Sequence, residues 1–361
     1  MYDIADIQDI PPFSMDKMEK ERFLTGILGE LTAHHYERCP KYRRILDAWP
    51  FDVDGIEHYR DIPYLPVRLF KEYDLRSVGE LEVVKQMTSS GTTGQQVSRI
   101  FLDKETATNQ TKILTKIVSD FIGTKRLAMI ILDTASVLKD RNMFSARGAG
   151  ILGYSIFASQ KVYALDEEMH IDFDALDAFL KDHEGEEILL FGFTFMVWQH
   201  FYKELARSNR SLDLSRGILI HGGGWKKLAD EAVDNVTFKA ELQRVCGLSR
   251  IYNFYGMVEQ TGTVYMECEQ GHLHASVFSD VIIRNPWDFS EAPVGEDGLI
   301  EVVSVLPKSY PGHALLTEDM GRILGEDDCP CGRKGKYFSI GGRIKDAEVR
   351  GCSDAYAAKF T

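Results

Sequence analysis

Short apolar runs separated by helical pattern constrain this chain most. The runs at 127–132, 188–191 and 217–220 are too brief for ordinary helices and are apolar without alternation, the signature of strands buried on both faces. Between them the sequence turns helical, as at 173–180, and Asp103 is placed to cap a helix running to about Phe121. Strand and helix in alternation predict a largely parallel sheet covered by helices, an α/β fold.

Upstream, residues 14–38 place Met18, Phe23, Ile27, Leu28, Leu31 and Tyr36 at helical spacing, and Cys39-Pro40 closes that run. The stretch Asp61-Ile62-Pro63-Tyr64-Leu65-Pro66-Val67 reads as an extended connector, because two prolines remove backbone donors. Beyond Tyr252 the texture changes to strand-like runs at 299–306 and 314–316 among Gly/Pro turns. The expected organisation is an α/β core over 1–250, a β-rich subdomain over 251–345 and a short tail over 346–361.

A chain of 361 residues with 44% hydrophobic and 27% charged residues has the make-up of an ordinary globular protein. Its net charge of -13 argues against non-specific binding to nucleic acid or an anionic membrane surface. The N-terminus Met1-Tyr2-Asp3-Ile4-Ala5-Asp6 lacks the basic and apolar regions of a signal peptide, so a cytoplasmic location is expected. In a reducing compartment the six cysteines are core thiols, metal ligands or nucleophiles rather than disulfide partners. Cys39 and Cys246, among apolar helical neighbours, read as core thiols.

The segment Met87-Thr88-Ser89-Ser90-Gly91-Thr92-Thr93-Gly94 packs hydroxyls and glycines into one turn, a composition that turns N–H groups and hydroxyl donors toward an anion. No Gly-Lys-Ser/Thr closes it, which excludes a P-loop. His221-Gly222-Gly223-Gly224-Trp225 follows a predicted parallel strand, the place where open α/β sheets bind ligands. Bare backbone there suits either a flat base or a packing turn. Tyr255-Gly256-Met257-Val258-Glu259 offers an aromatic face and an oxygen ligand for Mg²⁺. Thr317-Glu318-Asp319 offers a carboxylate suited to ribose hydroxyls, and Gly341-Gly342-Arg343-Ile344-Lys345-Asp346 a cation on a glycine pair.

Taken in this order, the motifs resemble those of the adenylate-forming superfamily of acyl-CoA and aryl-CoA synthetases. The sequences Ile62-Pro63-Tyr64-Leu65-Pro66-Val67, His221-Gly222-Gly223-Gly224-Trp225-Lys226-Lys227 and Ala347-Glu348-Val349-Arg350-Gly351-Cys352 are similar to the acyl-protein synthetase (LuxE-type) branch, the fatty-acid-activating subunit of fatty acid reductase. The resemblance spans roughly residues 60–354. It implies the N-terminal domain of the acyl-CoA synthetase-like fold and a two-step ligase reaction, with a fatty acid as substrate and an acyl reductase as partner. Ser89, Ser90, Gly91, Thr92, Thr93 and Gly94 would hold the triphosphate of ATP. Gly222, Gly223, Gly224, Tyr255 and Gly256 would frame the adenine, Glu259 would bind Mg²⁺, and Asp319 and Arg343 would hold the ribose. Glu318 departs from the family, where glycine is usual.

Full synthetases continue after the Gly-Arg-x-Lys-Asp hinge into a domain bearing a catalytic lysine, whereas only residues 347–361 follow here. The resemblance makes Cys352 the acyl acceptor, and its neighbour Arg350 on a glycine hinge favours the thiolate. Two other readings are a truncated aryl- or acyl-CoA ligase and a catalytically silent nucleotide-binding scaffold. Cys329-Pro330-Cys331-Gly332 with Cys268 and either His272 or His274 has the soft donors of a structural zinc site. The phenylacetate-CoA ligase relatives imply His274 as the fourth ligand. The aromatic cluster Phe191, Phe193, Phe195 and Trp198 suits either core or an acid pocket.

Overall fold

A computed structural model describes residues 4–48, 55–89, 96–139, 146–225 and 231–343. The chain forms two compact units, one of residues 4–89, 96–121 and 256–343, the other of residues 122–255.

The second unit is built on parallel strands in the order Ala158–Leu165, Leu127–Thr134, Ile188–Phe193, Gly217–Gly222, Arg250–Tyr255. The apolar runs read from the sequence are its central strands, each extended by two residues at its carboxyl end. Ile130, Ile131, Leu189, Leu190, Leu219 and Ile220 are almost wholly buried, as a sheet covered on both faces requires. The edge strand Ala158–Leu165 escaped prediction because Ser159, Gln160 and Lys161 are exposed and break the apolar run. The helix Phe173–Asp182 starts on Asp172, whose carboxylate accepts the Ala175 N–H at 3.0 Å. Phe191, Phe193 and Trp198 are buried and only Phe195 is half-buried, so most of that aromatic cluster is core.

The first unit centres on an antiparallel sheet ordered Ser279–Arg284, Gly298–Ser304, Ala314–Glu326, Lys336–Arg343, Leu273–His274, Tyr265–Glu267. Leu65–Pro66 adds in parallel to Ala314–Glu326, so the proline-rich connector is extended as expected and supplies a short edge strand. The N-terminal helix runs Lys17–Arg38 and opens on a capping box, with Asp16 accepting from Glu19 N and Glu19 reaching back to Asp16 N. It buries Leu24, Leu28 and Leu31, and also Lys20, Thr32 and His35. Cys39 ends it, and Pro40 opens a further helix, Pro40–Asp47, at the position where a missing N–H costs nothing. Asp103 caps the helix Lys104–Ile122 through a 2.8 Å bond from Thr106 N.

Buried charge ties the N-terminal helix Lys17–Arg38 to the sheet. Lys20 Nζ lies 3.2 Å and Lys336 Nζ 3.0 Å from the Asp280 carboxylate, to which Tyr59 also donates its hydroxyl. Burial opposes the ionised carboxylate, but the two ammonium groups outweigh it and hold Asp280 far below the usual carboxylate range. Among the described residues no helix is long and apolar enough to cross a membrane.

Candidate functional site

The strands Lys85–Thr88 and Arg99–Leu102 pair antiparallel, with Thr88 opposite Arg99. Ser89 N donates to Ser98 O at 3.2 Å, and Ser98 N returns a bond to Ser89 Oγ at 2.9 Å. Ser89 therefore extends this pairing beyond Thr88, with its hydroxyl oxygen accepting from the backbone. Ser90, Gly91, Thr92, Thr93, Gly94 and Cys352 lie outside the described residues.

Glu259 sits in the short turn Val258–Gln260 of the first unit and is 7% exposed. Burial raises its carboxyl pKa, while the Ser98 hydroxyl and the charge of Arg343 pull it down. In the same unit Arg343 Nε donates to Asp319 Oδ1 at 3.0 Å. These two residues are direct partners across the strands Ala314–Glu326 and Lys336–Arg343. Thr317 fixes the approach to Asp319, since its hydroxyl donates to Ile300 O at 2.7 Å and accepts from Asp319 N at 3.1 Å. The register slips beside Met320, and Gly342 takes φ +129°, a conformation that favours glycine. Glu259, Asp319 and Arg343 thus belong to one electrostatic neighbourhood, in which Glu318 adds a charge that raises Glu259 further. A lone buried carboxylate of hard oxygens suits Mg²⁺, which takes one or two carboxylates and keeps its other positions for water and phosphate.

In the second unit, Gly222 ends its strand and Tyr255 ends the neighbouring one, half-buried, while Gly256, which belongs to the first unit, is exposed. The three glycines have different reasons. A Cβ on Gly222 would lie 2.5 Å from the Phe254 ring, so packing requires it. Gly223 has φ +80°, and Gly224 faces open space. His221 is buried beside Phe238, its Nδ1 2.9 Å from Thr194 Oγ1, and burial lowers its pKa to about 3.

The geometry brings three of the cysteines and a histidine together. The ligand atoms of Cys268, His274, Cys329 and Cys331 all lie within 4.8 Å of one another. Two glycine turns present them: Gly271 N bonds Cys268 O at 2.9 Å and Gly332 N bonds Cys329 O at 3.0 Å, each glycine with positive φ. Cys268 Sγ is 3.9 Å from Cys329 Sγ, and Cys331 Sγ is 3.4 Å from His274 Nε2. A tetrahedral zinc with Zn–S of about 2.3 Å and Zn–N of about 2.0 Å has S–S edges near ~3.8 Å and S–N edges near ~3.5 Å, so this donor set fits. Burial and the charge of Arg333 lower the His274 pKa to about 4, which keeps the imidazole in its ligand form at neutral pH. His272 takes a supporting place, stacked on Tyr337 with its Nδ1 3.3 Å from Cys329 Sγ.

Two residues beside Glu259 went unforeseen. Tyr310 donates its hydroxyl to Glu259 O at 2.9 Å, and the Gln260 amide donates to Val302 O and Gly312 O at 3.0 and 2.9 Å. No local pattern announces either, because each partner lies some 40 or more positions away in the chain. A cleft of about 600 Å³ between residues 60–66 and the 284–289 loop is lined by none of the anticipated site residues.

The long-chain-fatty-acid–luciferin-component ligase of Vibrio harveyi is 24% identical over 97% of this chain and 91% of its own. A phenylacetate-coenzyme A ligase of Thermus thermophilus is 34% identical over 98 residues, which are 25% of this chain and 20% of the relative. The open conformation of 2-hydroxyisobutyryl-CoA ligase, solved with its acyl adenylate and CoA, superposes with a TM-score of 0.70 at 15% identity, covering 93% of this chain and 77% of that one. The fold is therefore that of the adenylate-forming CoA ligases. The family model for acyl-protein synthetase, LuxE, matches residues 2–361, and the chain belongs to that family.

Proposed function

We propose that this protein activates a long-chain fatty acid with ATP and passes the acyl group to its own Cys352 for delivery to an acyl reductase. In the first step a carboxylate oxygen attacks the α-phosphorus of ATP, forming the acyl–phosphate bond and releasing pyrophosphate. In the second, the Cys352 thiolate attacks the acyl carbon, forming a thioester and releasing AMP. The observation that carries the reading is the family match over the whole chain together with the Glu259, Asp319 and Arg343 neighbourhood in one unit.

The residues divide the work by their chemistry. Asp319 is an acceptor for ribose hydroxyls, and Arg343 both orients it and offers positive charge. Glu259 would hold Mg²⁺, which supplies charge neutralisation for the phosphates when bound. Ser89, Ser90, Thr92 and Thr93 would donate to the triphosphate, and Gly224 and Tyr255 would border the base. Catalysis of this type is positioning and charge stabilisation rather than protein nucleophile chemistry in the first step. Cys268, His274, Cys329 and Cys331 would hold a structural zinc, since four protein donors leave no open position for substrate.

Intact-mass measurement after incubation with ATP, Mg²⁺ and a panel of fatty and aryl acids tests the reading. The expected result is one acyl adduct, labile to hydroxylamine and absent from Cys352→Ser protein. An adduct that persists in that variant would remove Cys352 from the mechanism, and CoA-dependent AMP release without any adduct would favour an acyl-CoA ligase instead.

A further inference from the structure

The turn that carries Glu259 is held at two adjacent points, the Glu259 carbonyl and the Gln260 side chain. Tyr310 is wholly buried and gives its hydroxyl hydrogen to the Glu259 carbonyl at 2.9 Å. Gln260, 2% exposed, uses both amide hydrogens on the carbonyls of Val302 and Gly312. Turning that amide over would press its oxygen against two carbonyl oxygens, so its orientation is determined. Gly312 N bonds Tyr310 O at 2.8 Å, and a Cβ on Gly312 would stand 2.9 Å from Glu259 O. The loop 307–313 and the turn Val258–Gln260 are interlocked, and none of these bonds uses the Glu259 carboxylate.

The far side of the same loop rests on the N-terminal helix. His34 Nε2 and His35 Nε2 each lie 3.0 Å from a loop carbonyl, of Lys308 and Pro307 respectively. A carbonyl only accepts, so both nitrogens carry hydrogen. His35 Nδ1 lies 2.7 Å from Ser77 Oγ, and Ser77 N donates to Ser309 O at 2.8 Å. Thr32 Oγ1 spends its hydrogen on Leu28 O at 2.8 Å and therefore accepts from His313 Nε2 at 2.9 Å. Burial keeps His35 well below the ordinary imidazole range and His313 at about 3, in accord with these neutral tautomers.

We infer that Tyr310 and Gln260 are positioning residues for Glu259, and that His34 and His35 of the N-terminal helix hold the loop that presents Tyr310. The inference rests on Glu259 as the Mg²⁺ carboxylate. Mg²⁺ demands near-ideal octahedral geometry, and a carboxylate anchored only through its own flexible side chain would meet that demand poorly. Fastening the Glu259 carbonyl and the adjoining Gln260 side chain fixes the turn while leaving the carboxylate oxygens for the cation.

The test uses full-length protein and the variants Tyr310→Phe, His35→Leu, His35→Gln and Glu259→Gln, followed by Mn²⁺ binding, ATP–pyrophosphate exchange across a Mg²⁺ titration, and thermal midpoint. Loss of a supporting bond to a metal ligand typically costs about tenfold or more in metal affinity, so Tyr310→Phe should weaken Mn²⁺ binding and raise the half-saturating Mg²⁺ by roughly that factor. At saturating Mg²⁺ its KM for ATP should match wild type. His35→Gln retains an N–H donor and should bind Mn²⁺ far more tightly than His35→Leu. Wild-type metal dependence in Tyr310→Phe would overturn the inference, as would a loss that high Mg²⁺ never rescues and that follows thermal midpoint alone. Absence of any Glu259→Gln-sensitive Mn²⁺ site would also overturn it. If exchange is absent for every acid yet Mn²⁺ binding weakens in Tyr310→Phe, the positioning role stands and the proposed reaction falls.

Discussion

Asp319 and Arg343 face each other across two antiparallel strands, and the guanidinium Nε donates to the carboxylate at 3.0 Å. Arg343 is 40% exposed, so the pair contributes little to stability. Its place beside the buried Glu259 fits the proposed role in holding ligand instead.

Asp319→Ala should therefore leave the thermal midpoint nearly unchanged while lowering kcat/KM for ATP. A lost hydrogen bond to a charged acceptor is worth about 2 kcal/mol, or roughly 30-fold. A variant that unfolds early, or one that exchanges pyrophosphate at the wild-type rate, would contradict the assignment.

The acidity of Glu259 sets a second expectation. Burial raises its pKa, and only the ionised form ligates a metal well, so Mg²⁺-dependent turnover should fall on the acid side above the usual carboxylate pKa of about 4.3. Raising Mg²⁺ should move that acid limb to lower pH, because the cation competes with the proton. An acid limb indifferent to Mg²⁺ would assign it to another group.

The proposed zinc site predicts a metal content near one per chain in protein purified without added zinc. Cys329→Ser should lose the metal and much of the thermal stability, because structural zinc contributes folding free energy directly. Full stability after exhaustive chelation would mean that the thiols are ordinary core residues.

What could be read from the sequence followed the range of the signal. Cys329-Pro330-Cys331-Gly332 and Cys268 each sit in a local turn closed by a glycine, which spacing made legible, and the described cluster groups His274 with the three thiols. The strands Leu127–Thr134, Ile188–Phe193 and Gly217–Gly222 were legible because both faces are buried and the residues are uniformly apolar. Ser279–Arg284 was not, though every residue in it is buried. Its Asp280 and Arg284 are hidden only because Lys20, Lys336 and Glu301 meet them from elsewhere in the chain. Tyr310 and Gln260 escaped for the same reason.

The glycine turn separates packing from recognition by substitution. A Cβ on Gly222 would collide with the Phe254 ring, so Gly222→Ala should cost about 1–3 kcal/mol of stability as overpacking does. Gly224 meets nothing within 4 Å, and Gly224→Ala should change stability by less than about 0.5 kcal/mol. If bare backbone at Gly224 admits the adenine, the same methyl should raise KM for ATP while the thermal midpoint stays put. A Gly224→Ala protein with unaltered KM would confine the turn to a structural role and move the base toward Tyr255 alone.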